Sequence, residues 1–216
     1  MRNRATTVLI TGFGRFPGAP INPTEQLVHH LARMRRPALN DTRVFTHVFP
    51  TSYAALDAQL PALVAQHRPD ALVMFGLAGR TKGVRVEMLA RNRATQVFPD
   101  VTHTVPTRGA IKLGASALRG QAPFARLVAA ARATGASARL SRHAGTYLCN
   151  YGYWRALEAA AKPNGPTVVV FVHVPNIRRR LRRSASSTAP TLGQLLRAAQ
   201  AIVIAATAAS KSRMLN

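Results

Sequence analysis

The chain alternates short, continuous apolar runs with longer stretches of helical period. Residues 6–11, 71–75 and 167–172 are such runs, rich in β-branched residues and apolar on both faces. This pattern is typical of parallel strands buried in the middle of a sheet. Helix signals lie between them, such as Asn22 and Pro23 before an apolar stripe. The alternation predicts an α/β fold with three α/β/α layers, in which a mainly parallel, twisted sheet is flanked by helices.

The length of 216 residues suits one domain. We therefore expect a single domain over residues 1–216, with a long loop or β-arm at about 93–122, where Thr, Pro and Gly occur without period. Residues 192–209 are apolar but contain Gln194, Arg197 and Gln200, so they predict an amphipathic terminal helix, not a membrane span. The first apolar run is too short for a signal peptide. One cysteine and no export signal indicate the cytoplasm.

The net charge is +23, from 30 Lys and Arg against 7 Asp and Glu. Such a charge attracts polyanions by counterion release, so we expect nonspecific polyanion binding. The basic residues are scattered, however, and residues 178–183 form the one dense run. Aromatic platforms and a recognition helix, which specific nucleic-acid modules use, are not evident. We expect no specific nucleic-acid partner and no membrane partner.

The single cysteine, Cys149, cannot form an internal disulfide. A lone cysteine is most often a small buried hydrophobe. This one follows a loop containing Gly145 and precedes a predicted helix, whose N-terminus and cationic surroundings would favour a thiolate. His173 lies at the end of a predicted strand. A cysteine with a distant histidine is typical of a thiol nucleophile and its base.

A carboxylate that orients the imidazole would have to be one of seven acids. The other six are less suitable because they precede strands at the opposite sheet edge (Asp41, Asp70), lie within predicted helices (Glu25, Asp57, Glu158) or fall in the long loop (Asp100). Glu87 remains by elimination. Its spacing equally allows a surface carboxylate paired with Arg85 or Arg91.

Two cofactor classes are not favoured. The Gly12-Phe13-Gly14 turn follows a strand but lacks the third glycine of a dinucleotide fingerprint, and no acidic residue lies about 20 residues further on. The histidines have no metal-ligand spacing, and one cysteine adds little. We expect no cofactor and no metal.

Four blocks together resemble the pyroglutamyl peptidase I (pyrrolidone-carboxylate peptidase) family of cytoplasmic cysteine peptidases. They are TGFGRFPG (residues 11–18), VRVEMLARN (84–92), AGTYLCNY (144–151) and FVHVP (171–175). They occur in the family's order and extend over nearly the whole chain. The third and fourth blocks are the most specific.

The resemblance implies that Glu87, Cys149 and His173 form a catalytic triad that cleaves the amide bond after an N-terminal L-pyroglutamyl residue of a peptide, through a thioester. It also implies a homo-oligomer, often a tetramer. Further residues match positions around the pyrrolidone ring: Phe13, Phe16, Leu77, Tyr147 and Leu148. Without the resemblance, Phe13 and Phe16 would be assigned to core packing.

Two departures from the family pattern leave alternatives open. Val97 stands where many relatives carry an arginine, and residues 178–183 are unusually basic. One alternative is a weak or inactive relative that binds nucleic acid or another polyanion. Another is an amidase for a different cyclic amide.

Overall fold

The computed structural model describes residues 4–16, 18–178 and 189–215. The strands are β1 (Thr6–Phe13), β2 (Thr42–Phe49), β3 (Ala71–Leu77), β4 (Val84–Glu87), β5 (Leu89–Ala90), β6 (Leu118–Arg119), β7 (Ala138–Ser141) and β8 (Val168–Val174). The helices are α1 (Pro23–Ala32), α2 (Tyr53–His67), α3 (Phe124–Arg132), α4 (Leu148–Ala160) and α5 (Leu192–Leu215), with a 3₁₀ turn at Pro37–Leu39.

Six strands form one sheet in the order β2-β1-β3-β8-β4-β7. The first four are parallel, β4 runs antiparallel to β8, and β7 is parallel to β4. Strands β5 and β6 form a separate antiparallel pair. The sheet is therefore mixed but mostly parallel, and the predicted α/β architecture is confirmed.

Each central strand divides its side chains between two different cores. On β8, Val170 and Val172 belong to one core, whereas Val169, Phe171 and His173 point to the other side. We call the first side the aliphatic face; α1, α3 and α5 cover it with Val, Leu, Ile and Ala side chains. We call the second the aromatic face; α2 and α4 cover it. Its buried aromatic side chains are Phe13, Phe49, Tyr53, Tyr151, Tyr153, Trp154 and Phe171.

The helix starts follow the predicted caps. Asn22 Oδ1 accepts a hydrogen bond from Thr24 N at 3.1 Å, and Pro23 occupies the first turn of α1. Ser52 Oγ accepts from Ala55 N at 3.4 Å at the start of α2. Residues 50–52 connect β2 to α2, whereas the longer loop 14–22 connects β1 to α1.

Helix α5 is long and apolar enough to cross a membrane by length and composition. Its side chains Leu195, Ala198, Ile202 and Val203 are instead buried against α1, α3 and the sheet. It is therefore a core helix of this fold, and the prediction of an amphipathic terminal helix is confirmed. Of the basic run 178–183, Arg178 is described, and its N–H donates to Pro190 O; the rest lies outside the described residues.

Residues 91–117, all of which the structure describes, contain neither helix nor strand. The segment leaves the sheet after β5 and returns in β6, which pairs with β5. Asp100 anchors its middle by accepting from Thr102 N, Thr104 N and Tyr53 N, at 2.8, 3.0 and 2.9 Å. The predicted long loop thus exists, and it is tied to the start of α2.

Candidate active site

His173 and Glu87 lie on adjacent antiparallel strands and form a buried pair. The β8–β4 register places His173 opposite Arg85 and Phe171 opposite Glu87, so the histidine and the glutamate are diagonal neighbours on one face. His173 Nδ1 is 2.7 Å from Glu87 Oε1, and these residues are 3% and 0% exposed. A carboxylate accepts from N–H, so Nδ1 is the donor and Nε2 is left as the basic nitrogen.

Cys149 lies in the first turn of α4, and its thiol lies against β3. A Cβ atom built on Gly76 would be only 2.8 Å from Cys149 Sγ. Gly76 is the register partner of His173 in the β3–β8 pair. The thiol and the imidazole are therefore placed at adjacent, paired strands, which lie about 4.8 Å apart. Glycine at position 76 leaves the space that this approach requires.

The thiol of Cys149 is half-buried, and its surroundings raise its pKa. Burial raises the pKa of Cys149 to about 12, and the negative charge of Glu87 raises it further, while Arg85 and the Cys149 amide oppose the rise. The expected influences of the helix N-terminus and the cationic surroundings act in the predicted direction, but they are smaller than that of burial. Desolvation outweighs both, since a thiolate without water is costly. A nucleophilic Cys149 needs a base.

His173 has the protonation state that a base requires. Burial lowers its pKa; the hydrogen bond and charge of Glu87 oppose this, and the charges of Arg85 and His143 add to it. Burial acts against ionisation of Glu87, but the hydrogen bond and charge of His173, with help from Ser141 and Arg85, hold the pKa of Glu87 below its usual value. The pair is a neutral imidazole next to a carboxylate.

Two groups that contact Glu87, His143 and Tyr153, were not predicted from the sequence. His143 N–H donates to Glu87 Oε2 at 3.3 Å, and the Tyr153 hydroxyl donates to Glu87 O at 3.0 Å. Arg85 Nε is 3.3 Å from Glu87 Oε1. The alternation of β4 was the available signal for Arg85, because residues 85 and 87 share a face. The alternative of a surface carboxylate paired with Arg85 or Arg91 is correct about Arg85 and wrong about the surface, since Glu87 is fully buried.

Four of the other acids have structural partners. Asp70 is buried at the opposite sheet edge, where it accepts from Thr7 N and pairs with Arg4. Asp57 and Glu158 both pair with Arg155, and Asp100 binds backbone N–H groups. These contacts agree with the elimination that selected Glu87.

The backbone at the start of α4 supplies hydrogen-bond donors next to the thiol. Gly145 has a φ of +85°, which turns the chain into the helix. Tyr147 occupies the N-cap position, but its hydroxyl donates to Pro99 O at 2.8 Å instead of capping the helix. First-turn N–H groups have no partner within their own helix and can therefore bind an oxyanion.

The five predicted substrate-binding side chains fall into two groups. Phe16 and Tyr147 are half-buried, with ring centroids 6.3 Å apart, and Tyr53, which was not predicted, packs edge-on against Tyr147. Phe13 is 3% exposed. Phe13 lies in the core, with centroids 6.0 Å from Phe49 and 6.5 Å from Phe171. Leu148 is also buried, whereas Leu77 is half-buried at the end of β3.

Val97 offers no polar side chain to the site. It is 75% exposed, at the outer surface of the long segment. The neighbouring Thr95 N donates to Thr146 O at 2.6 Å, which ties this segment to the loop before Cys149. The segment thus lies near the reactive thiol but supplies hydrogen bonds from its backbone.

A cysteine thiol beside a buried imidazole that a carboxylate orients is the arrangement of cysteine hydrolases. The family model described as pyroglutamyl peptidase matches residues 6–212. The chain belongs to the pyroglutamyl peptidase family.

Individual relatives agree over most of the chain. It is 28% identical over 197 residues to the pyrrolidone-carboxylate peptidase of Gloeobacter violaceus, covering 91% of this chain and 94% of the relative. Identity to the enzyme of that name from Pyrococcus furiosus is 30%, with coverages of 81% and 83%. The solved pyrrolidone carboxyl peptidase from Thermococcus litoralis superposes with a TM-score of 0.85 at 26% identity, covering 96% of each chain. These similarities support the peptidase interpretation and give no support to the polyanion-binding or other-amidase alternatives.

Proposed function

We propose that this protein hydrolyses the amide bond between an N-terminal L-pyroglutamyl residue and the rest of a peptide, with Cys149 as nucleophile. His173 is the base and Glu87 orients it. The observation that carries the proposal is the 2.7 Å contact between His173 Nδ1 and Glu87 Oε1. His173 is the register partner of Gly76 on the adjacent strand β3, and the Cys149 thiol lies against Gly76. Membership of the pyroglutamyl peptidase family supplies the substrate class.

Because the pKa of the Cys149 thiol is raised, the attack needs His173 to remove the thiol proton. His173 Nε2 takes the proton as Sγ bonds to the substrate carbonyl carbon, and Glu87 stabilises the imidazolium that forms. The first-turn N–H groups of α4 bind the oxyanion. His173 then gives its proton to the leaving amine, which leaves a thioester. Water, deprotonated by His173, hydrolyses the thioester and restores the thiol.

The five side chains predicted to bind substrate form one side of the site, which we call the aromatic wall: Phe13, Phe16, Leu77, Tyr147 and Leu148. This wall accounts for the preference for a pyroglutamyl substrate. The pyrrolidone ring is flat, uncharged and mostly apolar, so it fits between aromatic side chains. Phe16 and Tyr147 form the half-exposed part of this wall. Phe13, Leu148 and Leu77 form its support and its edge.

We place this chemistry in a cytoplasmic homo-oligomer, a tetramer by family resemblance, with the whole chain as one peptidase domain. The free thiol of Cys149 requires a reducing compartment.

Exposed apolar side chains along the long segment, Val97, Phe98 and Leu113, offer area for contacts between copies. Size-exclusion chromatography with light scattering measures the assembly; a monomer at micromolar concentration would contradict it.

The first experiment measures release of a chromogenic amine from an L-pyroglutamyl amide under reducing conditions, with wild type and Cys149→Ala in parallel. We expect activity in the wild type and only the assay background in the variant, with the same circular dichroism spectrum. The matched substrate control is the L-prolyl amide, which lacks the lactam carbonyl and is expected to be inert. A folded, reduced wild type without activity, or an active Cys149→Ala, would refute the proposal.

A further inference from the structure

Arg85 reaches the proposed triad from the sheet. It is opposite His173 in the β4–β8 register, and its Nη2 is 3.4 Å from His173 Nδ1. Its Nε is 3.3 Å from Glu87 Oε1. The side chain is 21% exposed, while that of Glu87 is fully buried. One guanidinium therefore contacts both members of the pair that prepares the nucleophile.

The contact between Arg85 and His173 is electrostatic. Guanidinium nitrogens are donors only, and Nδ1 already donates to Glu87, so the two nitrogens cannot share a hydrogen bond. A fixed positive charge beside the ring makes a second positive charge on the imidazole unfavourable. The same guanidinium compensates the buried negative charge of the Glu87 carboxylate. Without Arg85, this charge would have to be balanced by protonation of His173 or removed by protonation of Glu87.

We propose that Arg85 is a positioning residue of the reaction: its permanent charge keeps Glu87 ionised and His173 neutral between turnovers, so that Nε2 is free to accept the Cys149 proton. The inference rests on the triad proposed above and adds a fourth, cationic member to it. Arg85 acts through His173 and Glu87 and does not touch the substrate.

The other groups that face His173 make Arg85 the main cationic influence. Strand β4 contributes Glu87 and Arg85, and the loop after β7 contributes His143, whereas the Tyr153 hydroxyl of α4 donates to the backbone oxygen of Glu87. Glu87 raises the pKa of His173, whereas burial, Arg85 and His143 lower it, in that order. His143 is exposed to solvent, where charges are screened, whereas the guanidinium of Arg85 carries a permanent charge within the site.

The test measures the pKa of His173 by NMR of ¹³C-labelled histidine in the Cys149→Ala background, with the resonance assigned by its loss in His173→Gln. Turnover is not needed, so the result is independent of whether the proposed activity exists. We expect Arg85→Gln to raise the pKa of His173 by about one unit or more, and Arg85→Lys to keep it near the wild-type value. When Cys149 is retained, Arg85→Gln is expected to shift the acid limb of the pH profile of kcat/KM to higher pH by the same amount. At pH values below this limb, kcat/KM is then about tenfold lower than in the wild type.

If the pKa of His173 is unchanged in folded Arg85→Gln, the proposal is overturned. It is also overturned if Arg85→Lys raises this pKa as much as Arg85→Gln does, because the effect would then come from the shape of the arginine side chain and not from its charge. If Arg85→Gln does not fold, the charge-balanced double variant Glu87→Gln/Arg85→Gln is compared with Glu87→Gln alone. The pKa of His173 is expected to be higher in the double variant, and equal values overturn the proposal.

Discussion

The two faces of the sheet use the same strands for different purposes. The aliphatic face holds Val, Leu, Ile and Ala side chains under three helices, and its core continues along most of α5. The aromatic face holds rings under two helices, and it also holds Glu87 and His173, which are 0% and 3% exposed. Neighbouring residues on one strand, such as Val172 and His173, therefore serve stability and chemistry respectively.

The difference shows what a buried site requires. Apolar side chains, most of them aliphatic, fill the first face, and no charged side chain belongs to its described core. The second face must leave room for a thiol and satisfy buried charges, so it contains Gly76 at the closest approach and a chain of contacts from Arg85 through Glu87 to His173. Substitutions on the aliphatic face are expected to affect stability, and those on the aromatic face activity.

The largest effect is expected from Ile202→Ala in α5. Ile202 is fully buried on the aliphatic face, so the truncation leaves a cavity and lowers the free energy of unfolding by about 2–5 kcal/mol. Urea unfolding measures it, and kcat at 25 °C is expected to be unchanged because the site lies across the sheet. Ile204→Ala, on the same helix at a half-buried position, is the matched control with a smaller loss. A large fall in kcat for Ile202→Ala would contradict the separation of the faces.

Gly76→Ala tests the aromatic face, where a substitution is expected to lower activity. The added Cβ would lie 2.8 Å from Cys149 Sγ and 2.6 Å from Phe171 Cζ, so the thiol must shift. We expect kcat/KM to fall about 10²-fold, which is about 2.7 kcal/mol. Steady-state kinetics on the pyroglutamyl amide measure it.

The control for this variant is Gly152→Ala, also on the aromatic face. Its added Cβ would come no closer than 3.4 Å to Met74 Cε, an ordinary contact, so activity is expected to persist. If Gly76→Ala and Gly152→Ala have equal kcat/KM, the close approach of the thiol to β3 is not needed for catalysis.

Asp100→Asn has the smallest expected effect, a loss of about 1 kcal/mol at neutral pH. Burial raises the pKa of Asp100, but hydrogen bonds from Thr102, Thr104 and Tyr53 outweigh it and lower the pKa to about 2. The carboxylate therefore stabilises the fold above its unfolded pKa of about 3.9, and this contribution is lost as the pH falls towards 2.

Thermal melts at several pH values measure this effect. The difference in Tm between wild type and Asp100→Asn is expected to shrink between about pH 5 and pH 2. The exposed Asp41→Asn is the control and should leave Tm unchanged. A difference that stays constant with pH would show that the hydrogen-bonded carboxylate is not the cause.

The sequence predicted the order of strands and helices because apolar period and caps are local signals. The caps at Asn22 and Ser52 and the apolar run of β8 occur where expected. The three triad candidates were also found from the sequence, as a lone cysteine, a histidine at a strand end and a glutamate left by elimination. Their roles stay predictions until the variants are measured.

Two features of the site depend on long-range pairing and were missed. Strand β4 has four residues and runs antiparallel to β8, which is what places Arg85 opposite His173. Strand direction follows from where the chain returns to the sheet, and no local pattern encodes it. The raised pKa of Cys149 was missed for a similar reason, because burial depends on how α4 packs against β3.

By itself, the sequence determined the α/β class, the amphipathic terminal helix and the residue types available for chemistry, since these follow from periodicity and composition. Only the tertiary structure decided which charged side chains are in contact and how the pKa values of the site residues are shifted. Alternation along β3, β4 and β8 brings Gly76, Arg85, Glu87 and His173 to one face, and the start of α4 places the partly buried thiol of Cys149 against β3. Desolvation and contact between distant segments set the electrostatics of the site, and both exist only in the folded chain.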